Sequence, residues 1–232
     1  ALTKELGVVG LMNVQYALQD DKLYVLEVNP RGSRTVPFVS KAVGIPFAKV
    51  AARVAAGETL QGLGIRERIP KHISVKVPVF PFVKFPGVDT LLSPEMRSTG
   101  EVMGIGDDFG AAFHTGMVAA DSVLPQRGKV FVSVRDEDKP MIVPVSKHLS
   151  RLGFELVATR GTAAYLKEAG VKCEVVNKVK EGRPHIVDRL VNKEIAMVIN
   201  TTTGAESTRD SFTMRRTTLL QRVPYFTTTN GA

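Results

Sequence analysis

A short apolar run that ends in an acid, an amide and two guanidinium groups constrains the fold of this chain more than any other stretch. Residues 23–28 are apolar except for Glu27, and Asn29, Arg31 and Arg34 follow closely. Such a run predicts a buried strand, on which Glu27 and Asn29 project from the same face because they are two residues apart. A carboxylate oxygen and an amide oxygen at one spot suit a hard divalent cation.

A second strand is predicted just upstream of this run. Residues 11–18 have a strand-like pattern, and residues 19–22 have the length and composition of a hairpin turn. Pairing the two strands across that turn would bring Gln15 close to Glu27 and Asn29. These side chains offer the oxygen ligands that Mg²⁺ accepts while it keeps waters and substrate phosphates. The hairpin therefore predicts a metal site formed by Gln15, Glu27 and Asn29.

The two arginines after the run allow two interpretations. Arg31 and Arg34 would supply positive charge for the oxygens of a phosphate group. Alternatively, Glu27 pairs with Arg31 or Arg34 in a purely structural contact at the end of a strand, which is an ordinary arrangement in proteins.

The amino-acid sequence of the predicted hairpin resembles that of a known family. Residues 13–15 (Asn-Val-Gln) and 26–31 (Leu-Glu-Val-Asn-Pro-Arg) resemble the last segment of an ATP-grasp domain. Residues 34–42 (Arg-Thr-Val-Pro-Phe-Val-Ser-Lys-Ala) are similar to the second synthetase half of the carbamoyl phosphate synthetase large subunit. The resemblance implies an ATP-dependent ligase whose second half phosphorylates carbamate.

The same resemblance implies roles for the hairpin residues. Gln15, Glu27 and Asn29 would place Mg²⁺ or Mn²⁺ between ATP phosphates, with Gln15 and Glu27 also forming part of the ATP site. Arg31 and Arg34 would be the catalytic residues, which steady the transferring group. ATP would be the substrate of the reaction.

The composition excludes several other classes of protein. With 232 residues, of which 44% are hydrophobic, the chain can form one large or two modest cores. No apolar run approaches the roughly 20 residues needed to cross a bilayer, so no membrane contact is expected. The single Cys173 excludes an internal disulfide, and a cytoplasmic location is expected. We assign Cys173 no chemistry, because a lone cysteine beside a strand is usually a small core residue.

The net charge of +8 raises nucleic acid as a partner, but its distribution argues against this class. Residues 1–121 carry 13 basic and 12 acidic side chains, while residues 122–232 carry 18 and 11. The excess is scattered through the second half and few aromatic residues accompany it. This pattern favours small phosphate-bearing ligands or an acidic partner surface, so we expect no nucleic-acid partner.

The composition also shifts near Asp121, where we place a domain boundary between residues 1–121 and residues 122–232. The first part is expected to be the α+β C-terminal part of an ATP-grasp domain. From Lys129 onward, apolar strands alternate with helical segments, and this alternation predicts a doubly wound parallel sheet of Rossmann-like topology. The fold class predicted for the chain is therefore α/β.

Polar residues follow the predicted strands of the second half. In parallel sheets, ligands gather at the carboxyl ends of the strands, and a hydroxyl at a helix N-terminus can help to hold an anion. The residues that would form a phosphate pocket at these strand ends are Ser133, Lys139, Thr159, Thr162, Lys178, Asn200 and Thr202. The alternative is that residues 159–162 (Thr-Arg-Gly-Thr) only cap a helix.

The second half resembles the methylglyoxal-synthase-like regulatory domain of the same synthetase subunit. The resemblance is carried by residues 133–135, 158–162, 176–179, 181–186 and 200–202. In that family the matching Ser, Thr, Lys and Asn residues line a site for nucleotide effectors such as UMP or IMP.

The chain departs from the usual family patterns at several places, in both of its halves. Arg160 replaces a usual histidine, which could change effector preference. Val77 replaces the acidic residue that helps to hold the activator ornithine, so regulation through that position is in doubt. The Gly-Gly-Asp motif of true methylglyoxal synthases is not reproduced, and His185 is more simply interpreted as a local hydrogen-bonding residue than as a base.

These patterns favour one function and leave one alternative. The resemblance implies the C-terminal region of the glutamine-hydrolysing enzyme that makes carbamoyl phosphate for pyrimidine and arginine biosynthesis. Its partners would be a glutaminase small subunit and, in an oligomer, other copies of the intact enzyme. The glycine-rich nucleotide loop of the family lies upstream, so the isolated fragment is expected to be catalytically incomplete. The alternative is a stand-alone module that binds a nucleotide effector without turnover.

Overall fold

The computed structural model describes residues 2–85, 88–91, 97–202, 209 and 211–232. Two compact units account for the tertiary contacts. The first unit comprises Ala1–Val77 and Val102–Gly116, and the second comprises Pro78–Glu101 and Met117–Ala232. The boundary near Asp121, which was placed by composition alone, stays a prediction.

The first unit contains the predicted hairpin. After the short helix α1 (Leu2–Glu5) come strands β1 (Asn13–Gln19) and β2 (Lys22–Asn29), which pair antiparallel. The two residues of the turn, Asp20 and Asp21, have φ angles of 49° and 58°. These left-handed conformations fit a tight turn whose twist matches that of the flanking strands. The hairpin and its turn are thus confirmed.

The predicted burial of β2 is wrong. The side chains of Tyr24, Val25 and Leu26 are 47–64% exposed. The physical reason is that β1 and β2 form a sheet of only two strands, and a sheet of that size buries little apolar surface.

Two helices follow the hairpin at the places that the sequence indicates. Helix α2 (Val36–Val43) ends at Gly44, whose φ of 71° is the left-handed C-cap that glycine adopts without strain. Helix α3 (Phe47–Ala55) begins directly after Pro46, which has no N–H to lose at a helix start.

A second two-stranded sheet consists of β3 (Ile73–Val79) and β4 (Gly100–Gly106), and helix α4 (Phe109–Ala119) follows it. Strand β4 was not predicted. Gly104 and Gly106 of β4 face this helix. A Cβ on Gly104 would overlap the carbonyl oxygen of Ala112 and the amide of Gly116, and a Cβ on Gly106 would lie 2.5 Å from the amide nitrogen of Ala112.

The second unit is built on a parallel sheet of strands alternating with helices. The strands are β5 (Lys129–Ser133), β6 (Glu155–Thr159), β7 (Glu174–Val176), β8 (Ile195–Asn200) and β9 (Tyr225–Phe226). The helices are α5 (Lys139–Arg151), α6 (Arg160–Glu168), α7 (Ile186–Val191) and α8 (Phe212–Leu220). The strand order is β7-β6-β5-β8-β9, with every pair parallel. The predicted doubly wound α/β fold is confirmed.

Both faces of this sheet are buried. Val130 and Val132 of β5 belong to one apolar cluster with Ile142 and Leu166, which lie on α5 and α6. Phe131, between those two valines, belongs to a second cluster on the other face. Burial on both faces explains why the strands are apolar throughout rather than alternating.

Among the described residues, we find no helix with the length and apolar character that crossing a membrane would require.

Candidate functional site

The first predicted site lies on the β1–β2 hairpin. Gln15 pairs directly with Glu27 and Asn13 pairs with Asn29, and residues opposite each other in an antiparallel pair share one face. Asn29 Nδ2 donates a hydrogen bond to Glu27 Oε1 over 2.8 Å. The structure therefore brings the three predicted metal-binding side chains to one face of the hairpin, and Asn13, which was not included in the predicted site, joins them.

The chemistry of this cluster fits a hard cation only in part. It offers one carboxylate, from Glu27, and amide oxygens from Gln15, Asn13 and Asn29. Within the described part of the chain, no group of three or more His, Cys, Asp or Glu side chains could hold a metal ion. Magnesium held by one or two carboxylates usually takes its remaining ligands from substrate phosphates and water. Such a set of side chains would hold a metal ion only together with a phosphate-bearing ligand and water.

The predicted catalytic arginines lie just beyond the end of β2. Arg31 and Arg34 are both exposed, and Arg31 Nη1 donates to the carbonyl oxygen of Gly32 over 3.3 Å. The hydrogen bond described for Glu27 is with Asn29.

The second predicted site lies at the carboxyl ends of β5, β6 and β8. Ser133, Thr159 and Asn200 are the last residues of these strands, and Ser133 pairs with Asn200 in register. The chain leaves β5 toward β6 on one side, whereas β8 lies on the other. Such a reversal in strand order opens a crevice, where ligands bind in sheets of this kind.

Three predicted hydroxyls form a connected cluster at this edge. The oxygens Ser133 Oγ and Thr159 Oγ1 are 3.2 Å apart, and Thr159 Oγ1 donates to Thr162 Oγ1 over 3.4 Å. Thr162 Oγ1 also accepts a hydrogen bond from the backbone N–H of Val134 over 3.3 Å. Thr159 precedes α6 as its N-cap, and no side-chain capping hydrogen bond is formed there. The Thr159 hydroxyl is thus bonded to the hydroxyls of Ser133 and Thr162 and does not cap the helix, contrary to the alternative in which residues 159–162 only form a cap.

The two predicted lysines place positive charge near the same edge. Lys139 Nζ lies 2.7 Å from Asp136 Oδ1 and 3.7 Å from the position that a Cβ on Gly161 would occupy. The Lys139 ammonium holds the pKa of Asp136 below its ordinary value, and the charge of Lys178 acts in the same direction. Both lysines thus lie within electrostatic reach of one acid, with which an anionic ligand would have to compete.

The loop after β5 is fastened by residues that the predicted site omitted. The backbone N–H of Arg135 donates to Thr201 Oγ1 over 3.1 Å, and Arg135 Nε donates to Asp138 Oδ2 over 2.7 Å. Hydrogen bonds from Arg135 and Thr201 lower the pKa of Asp138. Thr201 is thus tied to this loop, while the half-buried Thr202 follows it. The sequence shows three consecutive threonines after β8 and gives no sign of which one has the structural role.

His185 has the local hydrogen-bonding role that was predicted. It is the N-cap residue of α7, where its Nδ1 accepts from the backbone N–H of Asp188, and its own N–H donates to Asp188 Oδ2. Val77 is buried at 7% exposure, and its hydrocarbon side chain carries no charge that could pair with a ligand.

Comparisons with known proteins find similarity in both halves of the chain. Residues 1–63 match the family of the carbamoyl-phosphate synthase L chain, ATP binding domain, and residues 141–227 match the MGS-like domain family. The carbamoyl phosphate synthase large chain of Pseudomonas putida is 58% identical over 229 residues. This chain is homologous to carbamoyl phosphate synthase large chains. The large chain of Myxococcus xanthus is 54% identical over 233 residues.

The alignments cover nearly all of this chain but a small part of each relative. They span 98% and 100% of the chain, and 21% and 22% of the proteins from Pseudomonas putida and Myxococcus xanthus. The match to the ATP-binding domain includes the hairpin residues Gln15, Glu27 and Asn29. The match to the MGS-like domain includes Thr159 and Asn200, and it begins after Ser133 and Lys139.

Proposed function

We propose that this chain is the part of an ATP-dependent, glutamine-hydrolysing carbamoyl phosphate synthase large chain that completes a carbamate-phosphorylating site and carries an effector-binding domain. The intact enzyme makes carbamoyl phosphate from bicarbonate, ammonia and two ATP, in the cytoplasm, with a glutaminase small subunit as partner. The observation that carries the proposal is the 58% and 54% identity to large chains over 98% and 100% of this chain.

The hairpin would contribute to phosphoryl transfer through its oxygens and cations. Glu27, with Gln15 and Asn29, would hold Mg²⁺ or Mn²⁺ against the phosphates of ATP, and the metal ion would neutralise the charge that develops during transfer. Arg31 and Arg34 would steady the transferring group by pairing with its oxygens. The shared face of Gln15, Glu27 and Asn29 supports this assignment.

The edge of the parallel sheet would bind the monophosphate of a nucleotide such as UMP or IMP. The connected hydroxyls of Ser133, Thr159 and Thr162 can donate to phosphate oxygens when they rotate away from their present partners, and the N-terminus of α6 favours an anion. Lys139 and Lys178 add the positive charge, while Asn200 and Thr202 complete the predicted pocket. Binding would regulate the enzyme only by favouring one of its conformational states.

Calorimetric titration of the 232-residue chain with UMP, IMP and ornithine tests this assignment. We expect one nucleotide to bind, and Thr159→Ala and Lys178→Ala to weaken its binding about tenfold each, because each removes a hydrogen bond or charge on an ionic group. Ornithine should not bind through the position of Val77.

Two substitutions of the same type away from the pocket serve as controls for this titration. Thr217→Ala removes a hydroxyl that bonds to the backbone of its own helix, and Lys147→Ala removes an exposed charge on α5. Neither should change the affinity. If UMP or IMP binds the wild type and both pocket variants equally well, the pocket is in the wrong place.

A further inference from the structure

A line of polar side chains runs from the middle of the sequence to the carboxyl end of β8. Its members are Asp89, Arg215 of α8, Tyr225 of β9 and Asn200 of β8, all within the second compact unit. Asp89 and Arg215 are 126 positions apart in sequence, so the contact is created by the fold alone.

Arg215 is the centre of this line. Arg215 is 2% exposed as a whole residue, and its side chain is the largest fully buried one among the described residues. Arg215 Nε donates to Asp89 Oδ1 over 2.8 Å, Nη2 donates to Asp89 Oδ2, and Nη1 donates to Ser211 Oγ over 2.6 Å. Two parallel hydrogen bonds between a guanidinium and a carboxylate hold both groups in one orientation.

Tyr225 connects this ion pair to the edge of the sheet. Asn200 Nδ2 donates to Tyr225 Oη over 2.9 Å. Burial raises the pKa of Tyr225, and hydrogen bonds from Asn200 and Arg215 act in the opposite direction. The phenol oxygen thus accepts a hydrogen bond from the carboxamide of Asn200 and lies within electrostatic reach of the Arg215 guanidinium.

The consequence for Asn200 is a defined orientation. Because its Nδ2 donates to Tyr225, Oδ1 is the atom of the carboxamide that can accept a hydrogen bond from a ligand, and Asn200 lies beside Ser133 in register. A buried ion pair such as Asp89–Arg215 adds little net stability compared with apolar packing. Its main effect here is on geometry, since the two hydrogen bonds to Asp89 fix the orientation of the Arg215 guanidinium.

We propose that Tyr225, Arg215 and Asp89 are positioning residues for the effector pocket, which orient the carboxamide of Asn200 toward a hydrogen-bond donor of the bound nucleotide. The inference rests on the proposed effector site. It adds that the affinity of this site depends on Asp89, a residue of the segment that precedes the parallel sheet.

The first experiment needs no ligand. We would follow the side-chain amide NMR signal of Asn200, assigned through its loss in Asn200→Ala, in the 232-residue chain and in its Tyr225→Phe and Asp89→Asn variants. Both substitutions should shift this signal and speed the exchange of its amide protons with solvent. If neither substitution changes the Asn200 signal, the inference is overturned, and this result does not depend on which ligand binds.

The second experiment is a double-mutant cycle on the affinity for UMP or IMP. Tyr225→Phe and Asn200→Ala should each weaken binding about three- to tenfold, as expected for one lost hydrogen bond. In the Asn200→Ala background, Tyr225→Phe should have no further effect, because its influence passes through Asn200. Additive losses would indicate a general structural effect and would contradict the proposal.

Two controls separate this network from unspecific damage. Tyr24→Phe removes a phenol hydroxyl from the exposed face of β2, and Glu58→Gln breaks the exposed ion pair with Arg53. Both should leave the Asn200 signal and the affinity unchanged. If the wild type binds a nucleotide and Tyr225→Phe binds it with the same affinity, this inference alone is overturned. If the wild type binds neither nucleotide, the proposed function on which the inference rests is overturned.

Discussion

Glu174 is the residue whose ionisation the fold changes most clearly. It accepts a hydrogen bond from Arg189 and pairs with Lys129 over 3.3 Å. The hydrogen bond from Arg189, helped by Lys129, lowers the pKa of Glu174 from 4.5 to about 2. Glu174 and Lys129 are the first residues of β7 and β5, and Arg189 lies within α7, so one carboxylate links elements that are separated in sequence.

Stability should depend on pH through this group. Because its pKa is lower in the folded state, the stabilisation is complete above about pH 4.5 and is lost as the pH falls toward about 2. Glu174→Gln should lower the free energy of unfolding by about 1 kcal/mol at pH 7, a value that allows for solvent screening of a half-exposed side chain. Urea unfolding from pH 7 down to pH 3 would measure this difference, which should shrink with the pH.

A neighbouring acid provides the control for that measurement. Glu155 lies 3.8 Å from the same Lys129, but its side chain is 75% exposed. Glu155→Gln should change the free energy of unfolding by less than about 0.5 kcal/mol at either pH. A Glu174→Gln effect that stays constant between pH 7 and pH 3 would show that the ion pair is not its source.

At the scale of elements, most helices and strands could be predicted because their signals are local. Gly44 ends α2 where the left-handed conformation is needed, and residues 19–22 form the turn between β1 and β2. Strand β4 was missed because three of its seven residues, Gly100, Gly104 and Gly106, are glycines, which carry no side-chain pattern. Its glycines serve a close approach that only the three-dimensional packing shows.

The packing of β4 against α4 gives a prediction at this scale. Gly104→Ala would place a methyl group on the backbone of α4, at Ala112 and Gly116, which cannot move aside as a side chain can. We expect a loss of about 2 kcal/mol or more in the free energy of unfolding, measured by urea denaturation.

The same strand offers a matched control. A Cβ on Gly100 would meet no atom within 4 Å, so Gly100→Ala should change the free energy of unfolding by less than about 0.5 kcal/mol. Equal effects of the two substitutions would mean that β4 and α4 do not approach as closely as the structure indicates.

At the scale of the whole molecule, the residues at the carboxyl edge of the parallel sheet could be predicted from the sequence, whereas the long-range contacts behind them could not. Ser133, Thr159 and Asn200 could be assigned to one edge because the carboxyl ends of parallel strands coincide. The contact between Asp89 and Arg215 could not be predicted, because no local pattern relates positions 126 residues apart. The exposure of β2 was also missed, since an apolar run does not reveal how many strands its sheet contains.

The exposure of the β1–β2 hairpin leads to a prediction about ATP hydrolysis by the 232-residue chain. Glu27 is exposed on a two-stranded sheet, with Asn29 bonded to one of its oxygens, whereas phosphoryl transfer needs phosphates held in a site that excludes water. We expect the 232-residue chain with ATP and Mg²⁺ to hydrolyse ATP at the background rate, in a phosphate-release assay. Glu27→Gln should give the same rate, and a wild-type rate above that of the variant would contradict the expectation.

The shared register of Ser133 and Asn200 limits how relatives of this chain can change length. Side chains alternate between the faces of a strand, so deleting one residue within β8 would turn Asn200 away from its present neighbours. The same deletion in the turn before β8 would leave that arrangement intact. Gaps between related sequences should therefore gather at the amino-terminal side of this sheet and spare its strands.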